Sequence, residues 1–503
     1  MVVWKSNLIA RPFYSRAVFI IVIAAVVVAN LDLFVVNVAL PDIGRDFHQA
    51  SLSTLSWVLN AYAIVFAALL VVAGRLADRF GHRGGFLLGL VIFTVGSTIS
   101  ALSPDVATLV AARIVQAAGA ALLIPTSLAL VLAVTTPARR SAAVRAWSAA
   151  GGVAAALGPV LGGLLVQASW RWVFLINVPI GIVAFAAGAR LLPDVRGEKN
   201  GPLPDLVGAA LLTVAAGALS LGLVEGADWG WGSGRVLASF GVALVLGLGF
   251  VARSARHPAP VIELSMLRIR AFRTSTVAVL LFSLAFAAMI LSFMLWCQQV
   301  WGYSALRTGL AFAPGPLMVP PLAIAAGPLV RRIGAGPVAA AGNIAFCLGV
   351  LWWAAEVGIR PHYATELLPG VVLTGIGVGL TLPTLIAAMA TSLPPHRFAT
   401  GSGVNTMGRQ IGAVLGIAIL VGVLGTPHSP GEALTGFQHA WTGMGIISAA
   451  TAFVAILLGR SPSPSPSHPA TPTPTVTAPA PAQATAAATS AAPVTPEVRA
   501  AGS

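Results

Sequence analysis

Fourteen apolar stretches, each close to the length of a bilayer-spanning helix, constrain this chain more than any other feature. They fall at about residues 17–38, 55–74, 85–103, 106–133, 142–167, 172–192, 205–225, 235–253, 272–298, 308–328, 335–355, 367–391, 400–425 and 440–459. A helix needs roughly 20 apolar residues to cross the hydrocarbon core. Backbone polar groups there must be satisfied internally, and the lengths suit helices rather than barrel strands, so the expected fold is all-α and integral to the membrane. Only 9% of the 503 residues are charged, against about 25% in a soluble domain.

The formal net charge of +14 invites a nucleic-acid reading, but the positions of the cations argue against one. With the N-terminus inside, the inner segments carry Arg75, Arg79 and Arg83, then Arg139, Arg140 and Arg145, then Arg253, Arg256, Arg268, Arg270 and Arg273, whereas the outer loops carry only Arg45, Arg171, Arg235, Arg307 and Arg360. This is the positive-inside bias, with anionic headgroups as the natural contact of the inner cations. Both termini are expected in the cytoplasm. Arg, Ala and Gly far outnumber Lys, which suits a bacterial source and hence a plasma membrane. The first apolar run is too long for a cleaved leader. Cys297 and Cys347 both fall in spans, so no disulfide framework is expected, and no His lies deep in a span, so no metal and no cofactor are expected.

Polar segments divide the chain into a six-helix bundle over 17–192, a linker at 193–204, two additional helices over 205–253, a connector at 254–271, a second six-helix bundle over 272–459 and a tail from 460 to 503. The tail is rich in Pro, Ser, Thr and Ala, a composition that cannot bury a core. A faint repeat relates the halves: "GRLADRFGHR" (74–83) follows the second span and "GPLVRRIGAG" (327–336) follows the tenth. "TGIGVGL" (374–380) imitates a dinucleotide fingerprint, but no strand precedes it.

Asp32 is the one carboxylate placed well inside a span. Arg113 lies at comparable depth in the fourth span, roughly 13 Å from its outer end at 1.5 Å per residue, which makes the two candidates for a pair. Desolvation and a neighbouring guanidinium act in opposite senses on a buried acid, so small changes in access or distance can load and release a proton. Gly151, Ala155, Gly158 and Gly162 line one small face of the fifth span, which allows close helix approach, and Pro159 is expected to bend it.

Together "LDLFVVNVALP", "GRLADRFGHR", "RIVQAAGAA", "GPVLGG", "WRWVFLINVPIG" and "GYSALRTGLAFAP" resemble the major facilitator superfamily, and within it the fourteen-helix drug:proton antiporters, over residues 17 to 459. The resemblance implies two pseudo-symmetric six-helix bundles with two extra helices between them, and no enzymatic activity. It implies that Asp32, Arg113 and Gln116 carry proton coupling. It makes the turn with Gly74, Asp78, Arg79, Gly81 and Arg83 a clamp between the halves, Asp78 lying near the start of the thirteenth span around 399–403. Gly158, Pro159, Gly162 and Gly163 become the antiporter hinge. Asn37 matches a family asparagine. Arg409 and Gln410 also match a family pattern, to which no role attaches.

Trp57, Asn60 and Tyr62 in the second span, and Trp296, Gln298 and Gln299 ending the ninth, are candidates for a substrate wall, since aromatic and amide groups on apolar surfaces suit flat amphipathic molecules. Trp170 and Trp172 read as interfacial anchors. Five prolines in the tenth span (314, 316, 320, 321 and 328) predict a kink or break. That span holds no acid, whereas family members that take divalent organic cations often carry one in this half. The expected partners are therefore protons, the bilayer and neutral, anionic or singly cationic small molecules, with no nucleic acid, handled by a monomer. Two alternatives remain: an exporter of one endogenous metabolite, and a sensor or intramembrane enzyme without transport.

Overall fold

The computed structural model describes residues 12–458 apart from 49, 137–138, 196–202, 394–397 and 427–428. Among them every regular element is helical. In chain order these are α1 (Pro12–Asp46), α2 (Leu52–Phe80), α3 (His82–Leu102), α4 (Val106–Ala133), α5 (Arg140–Val166) and α6, in two pieces (Trp172–Leu175 and Asn177–Leu191). The additional pair is α7 (Leu206–Val224) and α8 (Gly234–Ser254). There follow α9 (Arg270–Leu295, continued by a π-turn Trp296–Val300), α10a (Ala305–Phe312), α10b (Pro314–Ile333), α11 (Ala335–Glu356), α12 (Leu368–Thr391, preceded by a π-turn Tyr363–Leu367), α13 (Phe398–Leu424) and α14 (Pro430–Ile456). Thirteen of these spans are long and apolar enough to cross a membrane, and α5 supplies a further apolar helix, Ala150–Val166. The tail lies outside the described residues, as does most of the first linker.

Local chemistry sets the helix starts. Ser51, Asp105, Asp205, Ser233, Ser304 and Ser429 each cap a helix by accepting a backbone N–H three residues on, which satisfies an otherwise orphaned donor. The two repeat motifs form matching turns. Gly81 (φ 110°) ends α2 and Gly334 (φ 94°) ends α10b, each donating its N–H to the carbonyl four residues back. A positive φ at one residue reverses the chain without a loop, which glycine alone does freely. Gly74, expected in the turn, instead lies within α2 facing Pro125 of α4.

The first helix departs from expectation. It runs to Asp46, two turns past the expected end, with Pro41 inside it. Leu40 and Ile43 are fully buried there, so tertiary packing holds the helix where the proline removes a hydrogen bond. The tenth span breaks at Ala313, between α10a and α10b, whereas Pro320, Pro321 and Pro328 lie inside α10b. Pro159 leaves α5 unbroken.

The two ends of the bundle are packed differently. Toward the Asp46 end, one apolar core joins both halves: Val35, Val36, Ala39 and Ile43 of α1 share it with Ala288, Leu291 and Leu295 of α9 and with Trp353 and Trp441. Toward the Gly81 end the halves have separate cores, one around Val22, Phe86, Leu123 and Val131, the other around Val279, Ala339, Leu385 and Ala455. There α2 touches α13 along one flank, Val71 meeting Met407 beside α7 and α8. On the other flank α5 packs along α10a and hardly touches α10b.

Candidate functional site

Five helices converge on one buried carboxylate. Asp32 is 1% exposed and Arg113 1%. The Arg113 guanidinium donates to Asp32 Oδ2 and, at 2.6 Å, to Gln116 Oε1. Gln116 Nε2 donates to Asp32 Oδ1 at 2.9 Å and to Ser97 Oγ at 2.7 Å. Asn177 Nδ2 reaches the same two acceptors, each at 3.2 Å. Arg113 Nε donates to the Val58 carbonyl of α2, and its plane lies 4.1 Å from the Tyr62 ring centroid and 5.7 Å from that of Phe174. Asp32 thus accepts from three side chains, and its charge is balanced by a guanidinium sandwiched between rings, the arrangement a buried ion pair needs to offset its desolvation.

The packing that makes this possible is legible at single glycines. A Cβ on Gly96 of α3 would stand 2.7 Å from the Gln116 backbone nitrogen, so this glycine lets α4 approach and deliver Arg113 and Gln116. Gly158 and Gly162 of α5 seat against Phe34 and Val35 of α1, one turn or less beyond Asp32. Gly163 meets the Ala305 carbonyl of α10a, and Gly309 of α10a meets the Pro159 carbonyl. One face of the glycine-rich segment therefore touches the helix that carries Asp32, and the other touches the opposite half of the bundle.

Sequence reasoning brought Asp32, Arg113 and Gln116 together. It missed Asn177 and Ser97, although Asn177 stands out as an amide in the apolar run "FLINVPIG". Asn37 does not join them: it is buried and donates to Leu33 of its own helix at 2.8 Å. Tyr62 belongs to the charge cluster, as the ring beneath Arg113. Asn60, fully buried, has both amide atoms without a partner, and Trp57 packs with Ala63, Ile64 and Val414. Trp296 is fully buried against Phe437 and Trp441. Gln298 donates across the halves to the Val38 carbonyl at 3.0 Å, and Gln299 lines a small recess with Leu40, Pro41 and Leu55. Trp170 is buried, its indole N–H on Asp46 at 2.9 Å, so it ties α1 to α6 rather than anchoring in lipid; Trp172 is exposed.

At the turn, Asp78 lies 3.3 Å from His82 Nε2 with its side chain 63% exposed. Arg83 donates to the Ala189 carbonyl of α6, and Arg79 lies over the Phe80 ring. The side chains of Ala399 and Thr400, where Asp78 was expected to dock, lie outside the described residues. Arg75 of the same turn reaches Glu263 of the connector before α9 at 3.6 Å, which links the halves.

Known proteins agree with this architecture. The family model of the Major Facilitator Superfamily matches residues 22–417 and 277–496. The chain is 34% identical to the cephamycin export protein of Amycolatopsis lactamdurans over 90% of its own length and 94% of that protein. It is 32% identical to the tetracenomycin C resistance and export protein of Streptomyces glaucescens over 83% and 77%, and 34% identical to the multidrug resistance protein Stp of Mycobacterium tuberculosis over 78% and 73%. A crystal structure of a peptide transporter superposes with a TM-score of 0.65 at 15% identity, covering 88% of this chain and 94% of that one, a likeness of fold alone. The chain belongs to the major facilitator superfamily. It is a multi-pass membrane transporter and not an enzyme.

Proposed function

We propose that this protein exports antibiotic-like small molecules in exchange for protons entering the cell, with Asp32 as the proton-carrying group. The observation that carries the reading is the Asp32–Arg113 pair with its Gln116–Asn177–Ser97 shell, buried at the meeting point of five helices. An intramembrane acid is costly and is by default functional. This one is paired with a guanidinium, and its helix is held by Gly158 and Gly162 of α5, whose neighbour Gly163 touches α10a. A change in the α5–α10a seam would then move Asp32 relative to Arg113 and change its hold on a proton. The charge bias supports a cytoplasmic Gly81 end with both termini on that side and an outer Asp46 end. The separated cores at the Gly81 end suit loading from the cytoplasm.

The driving force is sufficient. One proton entering down ~100 mV contributes about 2.3 kcal/mol and one pH unit about 1.4 kcal/mol. Together they sustain roughly 500-fold accumulation of a neutral substrate exchanged one to one. The relatives named for a single antibiotic, cephamycin or tetracenomycin C, favour a narrow substrate range. Stp, named for multidrug resistance, favours a broad one.

The test is substrate-evoked proton movement in reconstituted vesicles, wild type against Asp32→Asn, over a panel of lipophilic dyes and antibiotics. The expected result is coupling in wild type and, in the variant, retained substrate binding with no proton exchange. Normal coupling in Asp32→Asn would overturn the assignment.

A further inference from the structure

A second cation lies in the interior of the bundle, and among the described residues it has no partner. Arg409 stands 11 residues into α13, about 17 Å along the axis from Phe398, near the middle of the span. It is half-buried and, among the described residues, makes no hydrogen bond and no ion pair. The acids of the C-terminal half cannot neutralise it: Glu356, Glu366 and Glu432 all lie at helix ends, and Asp32 is engaged by Arg113. Among the described residues the middle of the bundle therefore holds two guanidinium groups, Arg113 and Arg409, and one carboxylate, Asp32.

The neighbours of α13 fix the direction Arg409 faces. Gly412 packs on α9, Met407 on α2 and Gly422 on Leu223 of α7. At 100° per residue, Arg409 lies about 60° from the Gly412 face and about 140–160° from the other two. Gly416, about 20° from it, also packs on α9, so Arg409 lies on the α9 side of α13, away from the peripheral pair α7 and α8. Two further polar groups around it lack partners. Asn405, one turn earlier and 4% exposed, has an unbonded Nδ2, and Thr276 of α9, whose methyl group faces Gly408, has an unbonded Oγ1. Buried polar groups are ordinarily satisfied, so a buried amide N–H₂ and a buried hydroxyl without acceptors, beside a half-buried guanidinium that is also unpaired, describe a site whose missing component is an acceptor.

We propose that Arg409, with Asn405 and Thr276, binds an anionic group, a carboxylate, on the transported molecule. The inference rests on the export reading and narrows its substrate class to organic monoanions with a flat apolar body. A guanidinium presents two parallel N–H donors that match a carboxylate, and the other buried guanidinium, Arg113, is already engaged by Asp32.

The test uses 1-pyrenebutyric acid, ionised at neutral pH, and its uncharged methyl ester. Saturable energy transfer from the protein's tryptophans to pyrene is measured on the purified full chain. Wild type should bind the acid at least 10-fold more tightly than the ester. Arg409→Gln should lose that preference with ester binding unchanged, and Arg409→Lys should keep part of it. Equal binding of acid and ester by wild type would overturn the proposal, as would a preference that survives in Arg409→Gln or a loss of acid and ester binding together. The export reading is read separately: if the acid binds through Arg409 yet evokes no proton movement in wild-type vesicles, the anion site stands and the coupled export fails.

Discussion

The two halves of the bundle share a scaffold and bury opposite things. In the first, α1, α3, α4 and α6 enclose a paired charge in a hydrogen-bonded chain from Arg113 through Asp32 to Ser97. In the second, Phe293, Trp296, Trp353, Phe437 and Trp441 pack as tilted and edge-to-face pairs, and Arg409, elsewhere in that half, has no matching acid among the described residues. The backbone symmetry is nonetheless close. Gly81 and Gly334 make the same turn. Gly89 and Gly96 bring α3 onto α4 as Gly342 and Gly349 bring α11 onto α12. The matched frame therefore keeps its helix contacts and divides its chemistry, with the proposed proton carrier in one half and the proposed anion site in the other.

The sharpest way to break the comparison is to make the first half resemble the second. Arg113→Leu leaves Asp32 buried without a counter-charge, and breaking a buried pair from one side costs about 3–5 kcal/mol. The variant should melt well below wild type in detergent. Adding Asp32→Asn should recover much of the loss, because the double change removes both charges; a double-mutant cycle measures the coupling. Additive losses would mean that the two side chains act independently.

Next in size is the seam between the halves. Gly309→Val drives a branched side chain into the Pro159 carbonyl, and overpacking of this kind typically costs about 1–3 kcal/mol. Because the contact exists only where α5 meets α10a, the loss should fall mainly on transport: vesicle flux should drop at least 10-fold while the variant still folds and binds pyrenebutyric acid. Gly443, by contrast, has open space around it, and Gly443→Ala should leave flux unchanged.

How much of this was legible follows the same division. Asp32 and Arg113 could be paired from sequence because depth along a helix is a matter of counting residues. The count survived an error, since α1 runs on to Asp46 and Asp32 lies 14 residues from that end, about 21 Å at the helical rise. The apolar run reads as ending at about residue 38, and only the buried Leu40 and Ile43 show why the helix continues past Pro41. Asn177 and Ser97 were out of reach because their contact depends on how α6 and α3 rotate about their axes, which composition does not encode. Trp170 and Trp296 were ambiguous for the same reason: an aromatic near a helix end serves lipid or core equally well until its neighbours are known. The matching turns of the repeat, by contrast, were visible as strings, since a glycine with positive φ is among the few backbone states a sequence announces. Their symmetry is testable. Gly81→Ala and Gly334→Ala each force a side chain into strained backbone, at about 1–3 kcal/mol, and melting temperatures should fall by similar amounts. A fall confined to one would show that the halves do not share the turn's mechanical role.

The smallest effect concerns the helices that belong to neither half. Asp205 caps α7 through the Gly208 N–H at 2.8 Å and holds Arg253 of α8 at 2.6 Å. Burial opposes its ionisation, but the Gly208 hydrogen bond and the Arg253 contact outweigh it and hold the carboxyl below its ordinary value. A carboxyl whose folded pKa is depressed contributes stability that is fully present above its unfolded pKa, about 4, and lost as pH falls through the folded value. Asp205→Asn keeps a capping oxygen, since Asn caps a helix as well as Asp does, but gives up the ionised contact with Arg253, and should therefore lower stability by at most about 1 kcal/mol at neutral pH. The gap between variant and wild type should close as the pH is taken below 4, as read by thermal melts in detergent. Arg253 is partly exposed, so salt should screen its share and leave the cap's. If the variant matched wild type at pH 7, α7 and α8 would be held by apolar contact with α2 and α13 alone, and the added pair would be a passenger on the two halves rather than a fastened part of the bundle.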